Sequence, residues 1–85
     1  MERLINVLEK RGLSLLILKG GETLYSSREG GMRPLLEAID QLELRALTDS
    51  TVVDRIVGRA AALLISYFKA KEVYTKLLSL KAIEI

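Results

Sequence analysis

The sequence predicts an α/β domain, a mixed sheet layered between helices with the element order α-β-β-α-α-β-α over residues 1–85. Three observations predict it. Two strand-like runs, Leu13-Ser14-Leu15-Leu16-Ile17-Leu18 and Thr23-Leu24-Tyr25-Ser26, flank Gly20-Gly21, a two-residue hairpin signal. Segments with helical apolar spacing stand before and after that hairpin. A β-branched and aromatic stretch, Lys71-Glu72-Val73-Tyr74-Thr75-Lys76-Leu77-Leu78, reads as a third strand.

Each element has a local reason. Met1, Leu4, Ile5 and Leu8 repeat at helical spacing over 1–11, and Gly12 stands where a helix-ending glycine belongs, after Lys10 and Arg11. The first strand is almost continuously apolar, which suits burial on both faces. The Gly-Gly turn sets Lys19 opposite Glu22. Residues 27–33 form a loop, and Pro34 suits the first turn of a helix, where its missing N–H costs nothing. Leu35, Leu36, Ile39 and Leu42 give that helix its apolar stripe up to about Glu43. A loop over 44–48 leads to Asp49-Ser50-Thr51, all good helix-capping types. The segment 51–69, apolar nearly all round, is expected to be one long buried helix. The step from the hairpin through that helix to strand 71–78 is a crossover, right-handed if the joined strands are parallel. Ser79 is placed to cap a final helix over 80–85.

Composition narrows the chemistry. The chain has no histidine and no cysteine, which excludes thiolate and imidazole metal sites, thiol nucleophiles and Ser-His hydrolysis. Apolar residues make up 49%, enough for a core, but a chain of 85 residues leaves much surface uncovered. Thirteen basic residues against eleven acidic ones give a net charge of only +2, and four aromatics are present, so nucleic acid is not an expected partner. Charged residues break up 1–18, so it lacks the apolar core of a signal peptide, and the apolar run 60–65 is too short to span a bilayer. The expectation is a cytoplasmic protein with no membrane association and no cofactor.

Three stretches together resemble a known family. They are Leu15-Leu16-Ile17-Leu18-Lys19-Gly20-Gly21-Glu22-Thr23-Leu24-Tyr25-Ser26-Ser27, the loop Gly30-Gly31-Met32-Arg33-Pro34-Leu35-Leu36, and Asp54-Arg55-Ile56-Val57-Gly58-Arg59-Ala60-Ala61-Ala62-Leu63-Leu64. They are similar to the domain of unknown function 1893 family, grouped with the cytidine-deaminase-like fold. The resemblance implies a three-layer mixed sheet opened by a hairpin. It also implies that relatives continue through further strand and helix with a late Cys-Pro motif, so the chain is expected to be incomplete at its C-terminus. Active zinc deaminases place a His-x-Glu or Cys-x-Glu pair at a buried helix start and Pro-Cys-x-x-Cys at the next. With 51–69 taken as the buried helix, its start holds Asp49-Ser50-Thr51-Val52-Val53-Asp54 and no such ligand. The resemblance therefore implies fold and not deaminase activity.

The remaining candidates are polar clusters. Ser26-Ser27-Arg28-Glu29-Gly30-Gly31 joins hydroxyls, an arginine and flexible backbone beyond a strand end, where open α/β sheets bind ligands; a solvated loop explains the same residues more simply. Asp54 and Gly58 share one helical stripe and Arg55 and Arg59 the next, which suggests an anion held by the arginines or a helix contact at Gly58. A nucleotide-type or other small anionic ligand would then lie between loop 26–31 and the N-terminal half of helix 51–69, with Ser26, Ser27, Arg28, Gly30, Gly31, Asp54, Arg55 and Arg59 as its contacts. Asp49 and Asp54 form a weak hard-cation or hydrolytic pair, since two carboxylates lack the further oxygens such a site needs. Lys69, Lys71, Lys76 and Lys81 read as surface charge that protects a sheet edge. The leading expectation is a non-catalytic assembly or binding module that forms homo-oligomers through the open edge of strand 71–78; the ligand-binding domain is the alternative.

Overall fold

A computed structural model describes residues 4–78. Its elements are α1 (Leu4–Lys10), β1 (Leu15–Lys19), β2 (Glu22–Ser27), α2 (Arg33–Gln41), α3 (Leu44–Leu47), β3 (Thr51–Val57), α4 (Arg59–Tyr67) and β4 (Glu72–Leu78). The four strands form one mixed sheet in the order β2-β1-β3-β4. β1 runs antiparallel to both β2 and β3, while β3 and β4 are parallel and joined through α4.

The hairpin forms for the reason given by its glycines. Gly20 and Gly21 both adopt positive φ, 59° and 82°, and Lys19 pairs with Glu22. The ladder slips by one residue between Ile17 and Leu18. Gly12, at φ 66°, ends α1 as anticipated: its N–H donates to the Glu9 carbonyl (3.1 Å) and the Leu13 N–H to the Leu8 carbonyl (2.9 Å). Pro34 lies in the first turn of α2. The stripe of α2 differs in one place: Leu35 and Ala38 are buried, whereas Leu36 is 52% exposed.

The main correction concerns 51–69. This is not one helix but β3 followed by α4, with Gly58 between them. Val52-Val53 and Ile56-Val57 recur at positions that fit a helix, yet five of the seven residues of β3 are β-branched, and that shape favours a pleated surface. Tertiary pairing decides the matter. β3 is the inner strand between β1 and β4, and its neighbours Val52 and Val53 are both fully buried, one on each face. The observed order is thus α-β-β-α-α-β-α-β; segment 44–48, expected as a loop, contains the single-turn α3; and strand 71–78 is the fourth strand. The helix expected over 80–85 lies outside the described residues.

Helices cover both faces of the sheet. On one side Leu15, Ile17 and Val52 meet Leu35 and Ala38 of α2, Leu47 of α3, Ala61 and Ile65 of α4, and Phe68. On the other, Leu16 and Val53 pack with Leu13 and Leu8 of α1. Strand alternation produces this division, because successive side chains point to opposite faces. The Tyr25 hydroxyl donates to Glu37 (3.2 Å), which also pairs with Arg33 (3.1 Å), and so ties α2 to the edge strand β2.

Candidate functional site

A cleft of about 290 Å³ opens where β3 approaches its carboxyl end. It is bordered by Ser14 and Leu15 of the β1 entry, by Gly30, Gly31 and Met32 after β2, by Leu35 of α2, by Asp54, Arg55 and Ile56 of β3, and by Ala61 of α4. Alternation along β3 puts Asp54 on the same face as Val52, among the residues that pack under α2 and α4. The wall is mainly apolar with a few convergent polar groups, the usual composition of a small-molecule site.

The cleft touches α2 at its N-cap and α4 at Ala61, in its first turn. Met32 is the N-cap of α2, Gly58 is the N-cap of α4, and neither helix start has a side-chain cap. Their first N–H groups therefore leave positive partial charge at the cleft's rim. Loop 28–31 is held against it by Ser14, which is buried in the apolar run. Its hydroxyl donates toward the carbonyl oxygens of Ser27 (3.1 Å) and Glu29, and its N–H donates to Ser27 O (2.8 Å). Gly31 completes the entry to α2 at φ 79°, where a side chain would be strained.

Asp54 is the acidic group of the cleft. Burial pushes its carboxyl up from 3.8 to about 6, against the opposing pull of the Ile56 and Arg55 N–H groups and the Arg55 charge. The Ile56 N–H lies 3.4 Å from Oδ1. Arg55 does not form an ion pair with it among the described residues; its guanidinium instead donates to Leu13 O (3.2 Å). Asp54 thus retains acceptor capacity toward the cleft.

Of the residues singled out from sequence, Gly30, Gly31, Asp54 and Arg55 come together here. Ser26, Ser27, Arg28 and Arg59 are not among the residues that line the cleft. Ser26 is exposed on β2, the Ser27 hydroxyl accepts from the Glu29 N–H (3.1 Å), and Arg28 donates to Arg11 O (3.4 Å). Arg59 is the first residue of α4 and exposed. Asp54 and Arg55 lie on a strand, so the helical stripes proposed for Asp54, Gly58, Arg55 and Arg59 do not exist, and the N-terminal half of a 51–69 helix cannot wall a pocket. Ser14 is the polar cleft residue that sequence reasoning passes over, along with the apolar lining; its signal is a lone hydroxyl inside an apolar run.

The expected helix start at 49–54 is corrected in the same way. Asp49-Ser50-Thr51 does not open a helix: Asp49 takes φ 62° and leads into β3. Asp49 precedes β3 and Asp54 is its central residue, so about 10 Å of strand or more separates the two positions. Among the described residues no three His, Cys, Asp or Glu side chains gather as a metal-binding group. Without histidine or cysteine, this chain carries no zinc-deaminase site. No helix among the described residues is long and apolar enough to cross a membrane.

No functionally curated protein matches the chain. Among solved structures, it is similar to a DUF1893 family protein from Thermotoga maritima, with a TM-score of 0.81 and 28% identity over 99% of this chain. The chain spans 58% of that protein. Residues 3–85 match the family described as a domain of unknown function (DUF1893), and the chain belongs to that family.

Proposed function

We propose that this chain is a non-catalytic binding module whose ligand occupies the cleft beside Asp54. The observation that carries the reading is the combination in one cleft of a half-buried carboxylate with two uncapped helix starts. The ligand that complements both is dipolar, with N–H donors for Asp54 and an anionic group for the helix N-termini. A nucleotide has both features, and about 290 Å³ is near the lower end of small-molecule sites, which suits one base with its sugar. The reading includes a cytidine-deaminase-like class for the fold; the leading hairpin and the β3-α4-β4 crossover support it.

A thermal-shift series with nucleoside monophosphates, free nucleosides and inorganic phosphate tests this. A ligand at about a hundred times its dissociation constant adds about 2.7 kcal/mol to native stability and raises Tm accordingly. Nucleoside monophosphates should raise Tm more than phosphate or nucleosides. No shift with any of them would refute the reading.

A second reading, self-association, is favoured by a separate observation. Among the described residues β4 pairs only with β3, so one side of its backbone is an open sheet edge. Val73 and Tyr74 on it are 43% and 41% exposed.

A further inference from the structure

We infer that the base held in the cleft is guanine, which presents two adjacent N–H donors to the Asp54 carboxylate. The inference rests on the nucleotide reading of the cleft and names the base. It draws on no part of the β4 edge: the lining comes from the entry to β1, the loop before α2, α2 itself, β3 and α4.

Three residues with polar side chains border the cleft: Ser14, Asp54 and Arg55. The single O–H of Ser14 is directed at the carbonyl oxygens of Ser27 and Glu29. Arg55 follows Asp54 in β3, so alternation turns its side chain to the opposite face, where the guanidinium donates to Leu13 O. Asp54 is then the side chain that meets the base edge, and an ionised carboxylate offers acceptors alone. Its Oδ1 faces the Ile56 N–H at 3.4 Å, which leaves Oδ2 and a second lone pair of Oδ1 side by side. Paired acceptors of this kind are matched by paired parallel N–H donors. Guanine supplies them on its Watson–Crick edge, through N1–H and the 2-amino group. Adenine and cytosine each set a ring-nitrogen acceptor beside the amino group, and uracil sets a carbonyl oxygen on each side of N3–H. All three bring a lone pair against a carboxylate oxygen and leave at most one hydrogen bond. The apolar wall, with Leu15, Leu35 and Ala61 in it, packs on any flat ring alike, so side-chain discrimination among bases falls to Asp54.

The test is isothermal titration calorimetry on the full chain at about pH 8, where Asp54 is ionised, with the five nucleoside monophosphates of guanine, hypoxanthine, adenine, cytosine and uracil. Guanosine monophosphate is expected to bind most tightly. Inosine monophosphate keeps N1–H and lacks the 2-amino group, so it should bind about tenfold more weakly, the loss of one charge-assisted hydrogen bond. The other three should be weaker still. Asp54→Asn exchanges one acceptor for a donor. It should erase the margin of guanosine over inosine monophosphate and strengthen the adenosine or cytidine nucleotide, whose edges pair a donor with an acceptor. Binding of no nucleotide overturns the nucleotide reading of the cleft, and the inference with it. Equal affinities across the five, or a guanosine preference that survives Asp54→Asn, overturns the inference and leaves the nucleotide reading standing. Free arginine carries the same fork of donors, and a titration with arginine but with no nucleotide overturns guanine as their source. If the variant loses its native circular dichroism spectrum, the guanosine-to-inosine ratio of the wild type decides alone.

Discussion

Replacing Asp54 with Asn should stabilise this protein at neutral pH, and the gain should disappear in acid. Burial raises the carboxyl from 3.8 to about 6, so folding favours the protonated form. Between these values the native state binds more protons than the unfolded chain, and stability falls as pH rises. Below 3.8 both states are protonated and no penalty remains; above about 6 the whole penalty is present. At about 1.36 kcal/mol per pH unit, the span from 3.8 to about 6 corresponds to at most about 3 kcal/mol. Asp54 is only half-buried, and water screens part of the effect, which leaves about 1–2 kcal/mol. The Asn side chain keeps the oxygen that faces the Ile56 N–H and discards the charge. In a domain of this size the gain amounts to an increase in Tm on the order of 5–15 °C. Thermal melts of both proteins at about pH 8 and about pH 4 supply the comparison, with the difference between them as the readout. Equal stability at the higher pH, or a gain of the same size at the lower, would refute the reasoning. A carboxylate that costs the fold stability while lining a cleft is what a binding role for Asp54 would require.

Three further outcomes follow from single positions. Ser50 is fully buried and its hydroxyl has no hydrogen-bond partner among the described residues, so Ser50→Ala should raise stability by about 1 kcal/mol in urea unfolding; a loss of that size would show a hidden partner. Gly58 is the N-cap of α4 with extended backbone and open space at its Cβ, and alanine is a poorer cap than glycine. Gly58→Ala should therefore leave Tm unchanged or slightly lower, whereas a glycine inside a helix would give a gain of about 1 kcal/mol. Phe68 is 1% exposed at the base of α4, and Phe68→Ala should cost about 3–5 kcal/mol, a large part of a small domain's stability, seen as a collapse of the urea midpoint.

The local elements are legible where one residue type answers one geometric demand. Gly20 and Gly21 read as a turn because both positions need positive φ, and Pro34 as a helix start because it lacks an N–H. One wall of the cleft is legible for similar reasons, since Gly30 and Gly31 mark a bend beyond a strand end. Asp54 and Arg55 stand out on a helical stripe that does not exist; strand alternation turns Asp54 to the cleft face, and Arg55 borders the cleft from the next position of β3. Ser14 escapes notice because its hydroxyl bonds residues thirteen and fifteen positions away, a contact with no local trace.

By itself, then, the sequence determined the hairpin, the end of α1 and the start of α2, the last strand, and the absence of imidazole and thiolate chemistry. Only the tertiary structure decided that 51–57 is a strand. Its apolar spacing satisfies a helix and a doubly buried strand equally well, and periodicity cannot separate them over so short a run. Pairing with β1 on one side and β4 on the other supplies the backbone hydrogen bonds that an isolated segment would take from its own helix. That choice turns Asp54 into the cleft beside Ser14 and the heads of α2 and α4, and leaves β4 as an open edge among the described residues.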